Sequence, residues 1–152
     1  MYVGLTGTIA SGKSTAAKIF NNLGAFTIDL DKISKELLNI NNIGYNEVVN
    51  FFGKGILAKD DSIDRAKLKN IIFRDKSYKK ALEDILHPLI RKKEIEIVNN
   101  ILSKNKSPII IVHAALFIET QSFKRYDSLI VVYSKNDTCY KRLLKRDNID
   151  EG

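Results

Sequence analysis

The spacing of apolar positions changes several times along the chain. Tyr2-Val3-Gly4-Leu5-Thr6 is a short apolar run that predicts a buried strand. Ala16, Ala17, Ile19, Phe20 and Leu23 then recur at helical spacing, predicting a helix over 13–23 with Gly24 as its stop. Phe26-Thr27-Ile28 predicts a second strand, followed by a helix from about 32 to 38. Farther on, Asp64 suits the N-cap of a helix over 65–73. Ser77 suits the cap of a longer pattern through Leu82, Ile85, Leu86, Leu89 and Ile90 to Leu102. Pro88 must kink that pattern or begin a new helix with His87 at its cap. Pro108 precedes Ile109-Ile110-Ile111-Val112, a β-branched run of the kind found in a parallel strand buried on both faces. Ser128-Leu129-Ile130-Val131-Val132-Tyr133 repeats the signal, and 135–147 reads as a basic helix. Strands alternating with helices predict an α/β fold, a mostly parallel sheet flanked by helices. The helical stretch 44–105 is too long for a simple crossover and reads as an insertion on the substrate side.

Composition narrows this picture little. A chain of 152 residues suits one domain, and 44% hydrophobic with 28% charged residues is too apolar for a disordered chain. The single cysteine, Cys139, excludes an intrachain disulfide framework and a Cys-rich zinc site. The opening Met-Tyr-Val-Gly lacks the basic region of a secretory signal. The longest apolar stretch, 109 to 118, is broken by His113 and is far short of the roughly 18 residues of a membrane span. A soluble, cytoplasmic protein without a membrane partner is expected.

Charge adds a location. The formal net charge is +7, but residues 1–53 carry 4 basic and 4 acidic groups, whereas 54–106 carry 14 and 8. Such a segment fits a nucleic-acid binder or an enzyme acting on polyanions. It also fits a coding bias, since Lys outnumbers Arg 19 to 6 and the chain holds 21 Ile and 13 Asn. The aromatic interleaving and Arg-rich clusters of a nucleic-acid surface are missing, so no nucleic-acid partner is expected.

Between the first strand and first helix lies Gly7-Thr8-Ile9-Ala10-Ser11-Gly12-Lys13-Ser14-Thr15, which matches G-x-x-x-x-G-K-[ST] without a mismatch. Gly7 and Gly12 allow backbone angles and close approach that let successive N–H groups ring a phosphate. The helix beginning near Lys13 adds the positive end of its dipole. Lys13 can reach the β- and γ-phosphates, and Ser14 can offer its hydroxyl to Mg²⁺. A nucleoside triphosphate site of the P-loop type follows. Ser134-Lys135-Asn136-Asp137 imitates a guanine-reading element. No glycine has an aspartate three residues before it, so the γ-phosphate sensor of a GTPase is absent.

Asp29-Leu30-Asp31 follows the second strand. Ligands of parallel sheets gather at the carboxyl ends of strands, where one carboxylate can take a proton from an attacking hydroxyl. An Asp at such a junction also serves as an N-cap, and Asp31 can do both. Arg142 and Arg146 lie four apart on one face of the last helix. They suit either a lid over a triphosphate or a solvated basic face.

These motifs together resemble the dephospho-CoA kinase family. The match runs from Gly4-Leu5-Thr6-Gly7 through the loop to Ile28-Asp29-Leu30-Asp31. It resumes at Leu86-His87-Pro88-Leu89-Ile90 and Leu116-Phe117-Ile118-Glu119, and ends with Lys141-Arg142 and Lys145-Arg146-Asp147. The resemblance implies a P-loop NTPase fold in one kinase domain. Its core would be 1–43 and 107–140, with a helical substrate-binding insertion over about 44–106 and a partial lid from about 141 to 152. It implies ATP with Mg²⁺ as cofactors, and phosphorylation of the ribose 3′-hydroxyl of dephospho-CoA as the activity. Asp31 would be the base, Gly7 and residues 10 to 15 (Ala10, Ser11, Gly12, Lys13, Ser14, Thr15) the ATP loop, and Arg142 and Arg146 the lid arginines. His87 would be a structural cap or buried hydrogen-bonding group.

Two departures matter. After the third strand the family commonly carries an Asp-x-Pro-Leu-Leu-x-Glu-like stretch, where this chain reads His113-Ala114-Ala115-Leu116-Phe117-Ile118-Glu119. The strand-end aspartate is gone while Glu119 remains. The family also continues past Gly152 with a strand, a loop and a final helix. A shortened form with an open sheet edge is therefore expected. Other small-molecule kinases on the same core, and a nucleotide-binding module without catalysis, are the competing readings.

Overall fold

A computed structural model describes residues 1–115, 117 and 122–147. Four strands form one parallel sheet: β1 (Tyr2–Gly7), β2 (Phe26–Asp29), β3 (Ile110–His113) and β4 (Ser128–Val132), in the order β2-β3-β1-β4. The helices are α1 (Lys13–Asn22), α2 (Leu30–Leu37), α3 (Ile43–Phe52), α4 (Arg65–Arg74), α5 (Lys76–Lys104) and α6 (Asn136–Asp147). The expected α/β fold with a parallel sheet is what the chain adopts. None of the described helices is long and apolar enough to cross a membrane.

The chain divides into two compact units, Met1–Asp31 with Ile97–Gly152, and Lys32–Glu96. The first contains the sheet. Val3 and Leu5 leave β1 on one face and pack with Ala17 of α1, Ala25 and Ile111, joined by Ala16, Phe20, Ile130 and Val132. Alternation sends Gly4 to the opposite face, where a Cβ would stand 3.0 Å from both Leu129 and Tyr126. The Tyr126 ring lies there 5.0 Å from Phe117. Burial of each large aliphatic residue contributes about 1.5–3 kcal/mol, so this two-faced packing fixes the sheet without help from charge.

β3 is buried at every position, as its β-branched run predicts. β4 carries a similar run yet is half-exposed, with Val131 55% accessible. Among the described residues β4 pairs only with β1, and an apolar run does not distinguish a central strand from an edge.

The second unit is helical around Val48, Ile56, Ile63, Leu68 and Leu86. Asp64 caps α4 as expected, its carboxylate accepting from the Ala66 and Lys67 N–H groups. The expected cap of α5 fails, and so does one of the two readings of Pro88. Asp75, not Ser77, opens the helix, accepting from the Ser77 N–H through its side chain and from Tyr78 and Lys79 through its carbonyl. Carboxylate and hydroxyl are both good caps, and the upstream one wins the contest here. Nor does a helix begin at Pro88, which lies inside one continuous helix. The missing Pro88 N–H removes one bond from a helix of 29 residues, a loss offset by the packing of Leu82, Ile85, Leu86 and Ile90 around it. His87 is consequently an exposed mid-helix residue, not a cap or a buried hydrogen-bonding group.

Replacing Asp64 by Ala should lower stability by about 1 kcal/mol through loss of two N-cap bonds. Urea denaturation would register this as a lower midpoint at unchanged slope; an unchanged midpoint would deny the cap its role.

Candidate functional site

The carboxyl ends of β1, β2 and β3 lie side by side, because the parallel register aligns Asp29 with His113 and Leu5 with His113. β1 flows into the phosphate-binding loop. Gly7 is obligatory on contact grounds, since a Cβ there would collide with the Val132 carbonyl oxygen and stand 2.7 Å from Ser11 Oγ. The loop turns through Ala10 (φ 59°) and Gly12 (φ 104°), both left-handed. The Ser11 N–H donates to the Thr8 carbonyl at 3.1 Å, closing the turn.

Gly12 is the N-cap of α1 and carries no side-chain cap bond, and the first turn of the helix holds no acidic residue. The N–H groups and dipole of that end therefore form a feature that favours an anion. Ser11 is 4% exposed, and its buried hydroxyl has no hydrogen-bond partner among the described residues. The exposed Ser14 sits in the first turn of α1.

Lys13 Nζ lies 3.3 Å from Asp31 Oδ2, with the lysine side chain 13% and the aspartate 51% exposed. Asp31 belongs to the first turn of α2, where a carboxylate is favoured by the dipole. It lies inside the helix and its carboxylate turns to Lys13, so the N-cap alternative does not describe it. Arg142 reaches back from α6 and donates through Nη1 to the carbonyls of Ala10 (3.3 Å) and Ser11 (3.2 Å). Arg146 is within α6, but its side chain, like Glu119, lies outside the described residues. Gly7, Ala10, Ser11, Gly12, Lys13, Asp31 and Arg142 are thus brought together at one end of the sheet.

Beside α1 is a cavity of about 310 Å³ whose lining includes Ser14, Lys18, Thr27, Asp29 and His113. His113 Nδ1 is 3.9 Å from Asp29 Oδ2. Burial pulls His113 below its ordinary imidazole value; Asp29 opposes this, while Lys13 adds to it. The Thr6 hydroxyl donates to the Ala114 carbonyl at 3.1 Å, tying β1 to the chain just past His113. Sequence reasoning treated His113 only as a break in an apolar run and as a departure from a family pattern. The available signal was its position: a polar residue that ends a buried parallel strand points to the ligand side of the sheet.

A parallel sheet whose central strand runs through a glycine-bounded phosphate loop into a helix defines the P-loop α/β class. The dephospho-CoA kinase family model matches residues 1–152. A dephospho-CoA kinase of Aquifex aeolicus is 42% identical over 149 residues, covering 98% of this chain and 74% of its own. One of Geobacter sulfurreducens is 40% identical over 151 residues, covering 99% and 76%. Among solved structures, the dephospho-CoA kinase of Campylobacter jejuni matches at a TM-score of 0.68 and 33% identity, covering 97% of this chain and 73% of that one. TT1252 of Thermus thermophilus matches at 0.83 and 26%, with the same coverage. The chain belongs to the dephospho-CoA kinase family, kinases that transfer phosphate to an alcohol group.

The lowered proton affinity of His113 has a consequence for stability. Burial disfavours its charged form, so the unfolded chain binds that proton more readily than the folded one. This contribution is fully present above the ordinary imidazole value of about 6.5 and is lost as pH falls towards the lowered folded value. Chemical denaturation from about pH 8 to 5 should show a loss of stability that is smaller in His113→Asn; identical pH dependence in the variant would contradict it.

Proposed function

We propose that the chain transfers the γ-phosphoryl group of ATP to the ribose 3′-hydroxyl of dephospho-CoA, yielding CoA and ADP, the last step of coenzyme A synthesis. The observation that carries this reading is the pairing of a complete phosphate loop with the Asp31 carboxylate, 3.3 Å from the loop's own Lys13, in a chain matched throughout by the family model. That match weighs against the other small-molecule kinases considered from sequence.

The geometry supports a role for each residue. Loop N–H groups and the N-terminus of α1 bind the β- and γ-phosphates, and Lys13 adds a point charge. Phosphate oxygens compete with Asp31 for Lys13, so nucleotide binding releases the Asp31 carboxylate for the acceptor hydroxyl. Asp31 takes the hydroxyl proton as that oxygen bonds to the γ-phosphorus and the β–γ bridging bond breaks, with ADP leaving. Arg142 lies against the loop through Ala10 and Ser11, which supports a role for its guanidinium in neutralising charge on the transferring group. The exposed hydroxyl of Ser14, in the first turn of α1, has the oxygen chemistry that Mg²⁺ takes, and Mg²⁺ when bound neutralises developing phosphate charge. The basic excess of residues 54–106 favours an acceptor rich in phosphate.

Incubation with Mg·ATP and a panel of acceptors should give a mass gain of one phosphate on dephospho-CoA alone. ATP binding without transfer to any acceptor would overturn the reading. Asp31→Asn should cut turnover by roughly 10²–10⁴ while ATP affinity stays nearly unchanged, and undiminished turnover would remove Asp31 as base. Lys13→Ala should weaken both ATP binding and turnover, because one charge serves ground and transition states.

A further inference from the structure

Three elements contribute residues with unlike donors to the lining of the cavity beside α1, Ser14 with a hydroxyl, Asp29 with a carboxylate and His113 with an imidazole, and Lys18 of α1 lines it as well. Asp29 and His113 are register partners in adjoining parallel strands, so their side chains leave the sheet on the same face. They approach to 3.9 Å with His113 almost wholly buried. In P-loop proteins the metal that accompanies the nucleotide is held by the loop Ser or Thr together with a strand-end aspartate. In this chain β3, the strand beside β1 on the β2 side, ends its β-branched run on histidine instead.

That exchange alters what the position can bind. Mg²⁺ takes hard oxygen ligands and keeps much of its water, whereas imidazole nitrogen suits first-row transition ions. The bond between Thr6 and the Ala114 carbonyl holds the backbone next to His113, limiting the freedom of the ring's attachment point.

We infer that His113 supplies a nitrogen ligand to the divalent cation that accompanies the nucleotide at Ser14, tuning this chain towards Mn²⁺ relative to Mg²⁺. The inference rests on the nucleotide reading above. Among the described residues no group of three or more His, Cys, Asp or Glu could hold a metal ion. Nucleotide phosphates and water must therefore complete the coordination, and the cation binds with the nucleotide.

The test uses the full chain with Mn²⁺ and a non-hydrolysable ATP analogue, read by pulsed electron paramagnetic resonance. Imidazole ¹⁴N coupling to Mn²⁺ is expected in the ternary complex and should vanish in His113→Asp, which excludes His87 as the source. Competition between the two ions in the presence of the analogue should show the Mn²⁺/Mg²⁺ affinity ratio falling about tenfold or more in His113→Asp. A bound analogue with Mn²⁺ but no ¹⁴N coupling would overturn this inference and leave the kinase reading standing. Failure of the analogue to bind at all would overturn both. Should His113→Asp not fold, the coupling in the unaltered chain decides the matter, with His113→Asn as the second control.

Discussion

The close approach of Gly7 to the Val132 carbonyl is the constraint on which the site depends. β1 and β4 are paired in parallel up to that point, and the chain must leave the sheet there without a side chain in the way. The turn that follows puts Ala10 and Gly12 at positive φ, and the Ala10 conformation costs about 1–2 kcal/mol in an ordinary residue. The packing of Val3 and Leu5 against α1 supplies far more than this, so the core holds the loop in a shape the loop alone would not keep. The energetic link therefore runs from an apolar sheet face to a ring of backbone donors.

Lys13 and Arg142 each have a partner within the chain. Lys13 lies against Asp31, and Arg142 donates to two loop carbonyls. Pairing keeps the long cationic side chains close to where phosphate would sit, at modest cost, because a partly exposed ion pair is worth only about 0–1 kcal/mol. A triphosphate carries more charge and more acceptors than either partner, so exchange favours the ligand. A strongly buried pair would have fixed the same residues too firmly to be displaced.

Legibility followed the range of the interaction involved. Gly7 to Thr15, the strands and the cap at Asp64 are local in sequence, each specified by a spacing or a single residue type, and they were readable. Ser77 was misread because two good caps stood two residues apart, and only the backbone decides which one is used. Pro88 left two readings open, since a lost hydrogen bond is local while the packing that carries the helix through it comes from residues such as Leu86. The half-exposure of β4 and the turning of Asp31 towards Lys13 depend on which segments meet in space. No window of sequence reports that.

His113 marks the same boundary from the other side. Its neighbours in sequence are apolar and identify a buried strand, and nothing in that run indicates a polar task. The chemistry comes from register: the β2–β3 pairing sets Asp29 opposite, and α1 lays Ser14 across the same cavity. A one-residue slip in that pairing would send either side chain to the opposite face of the sheet, away from its partner. The hydrophobic alternation that fixes register therefore also selects the donors that face one another. In a parallel sheet of this kind, core packing and ligand chemistry are specified by the same residues read at two ends of the strand.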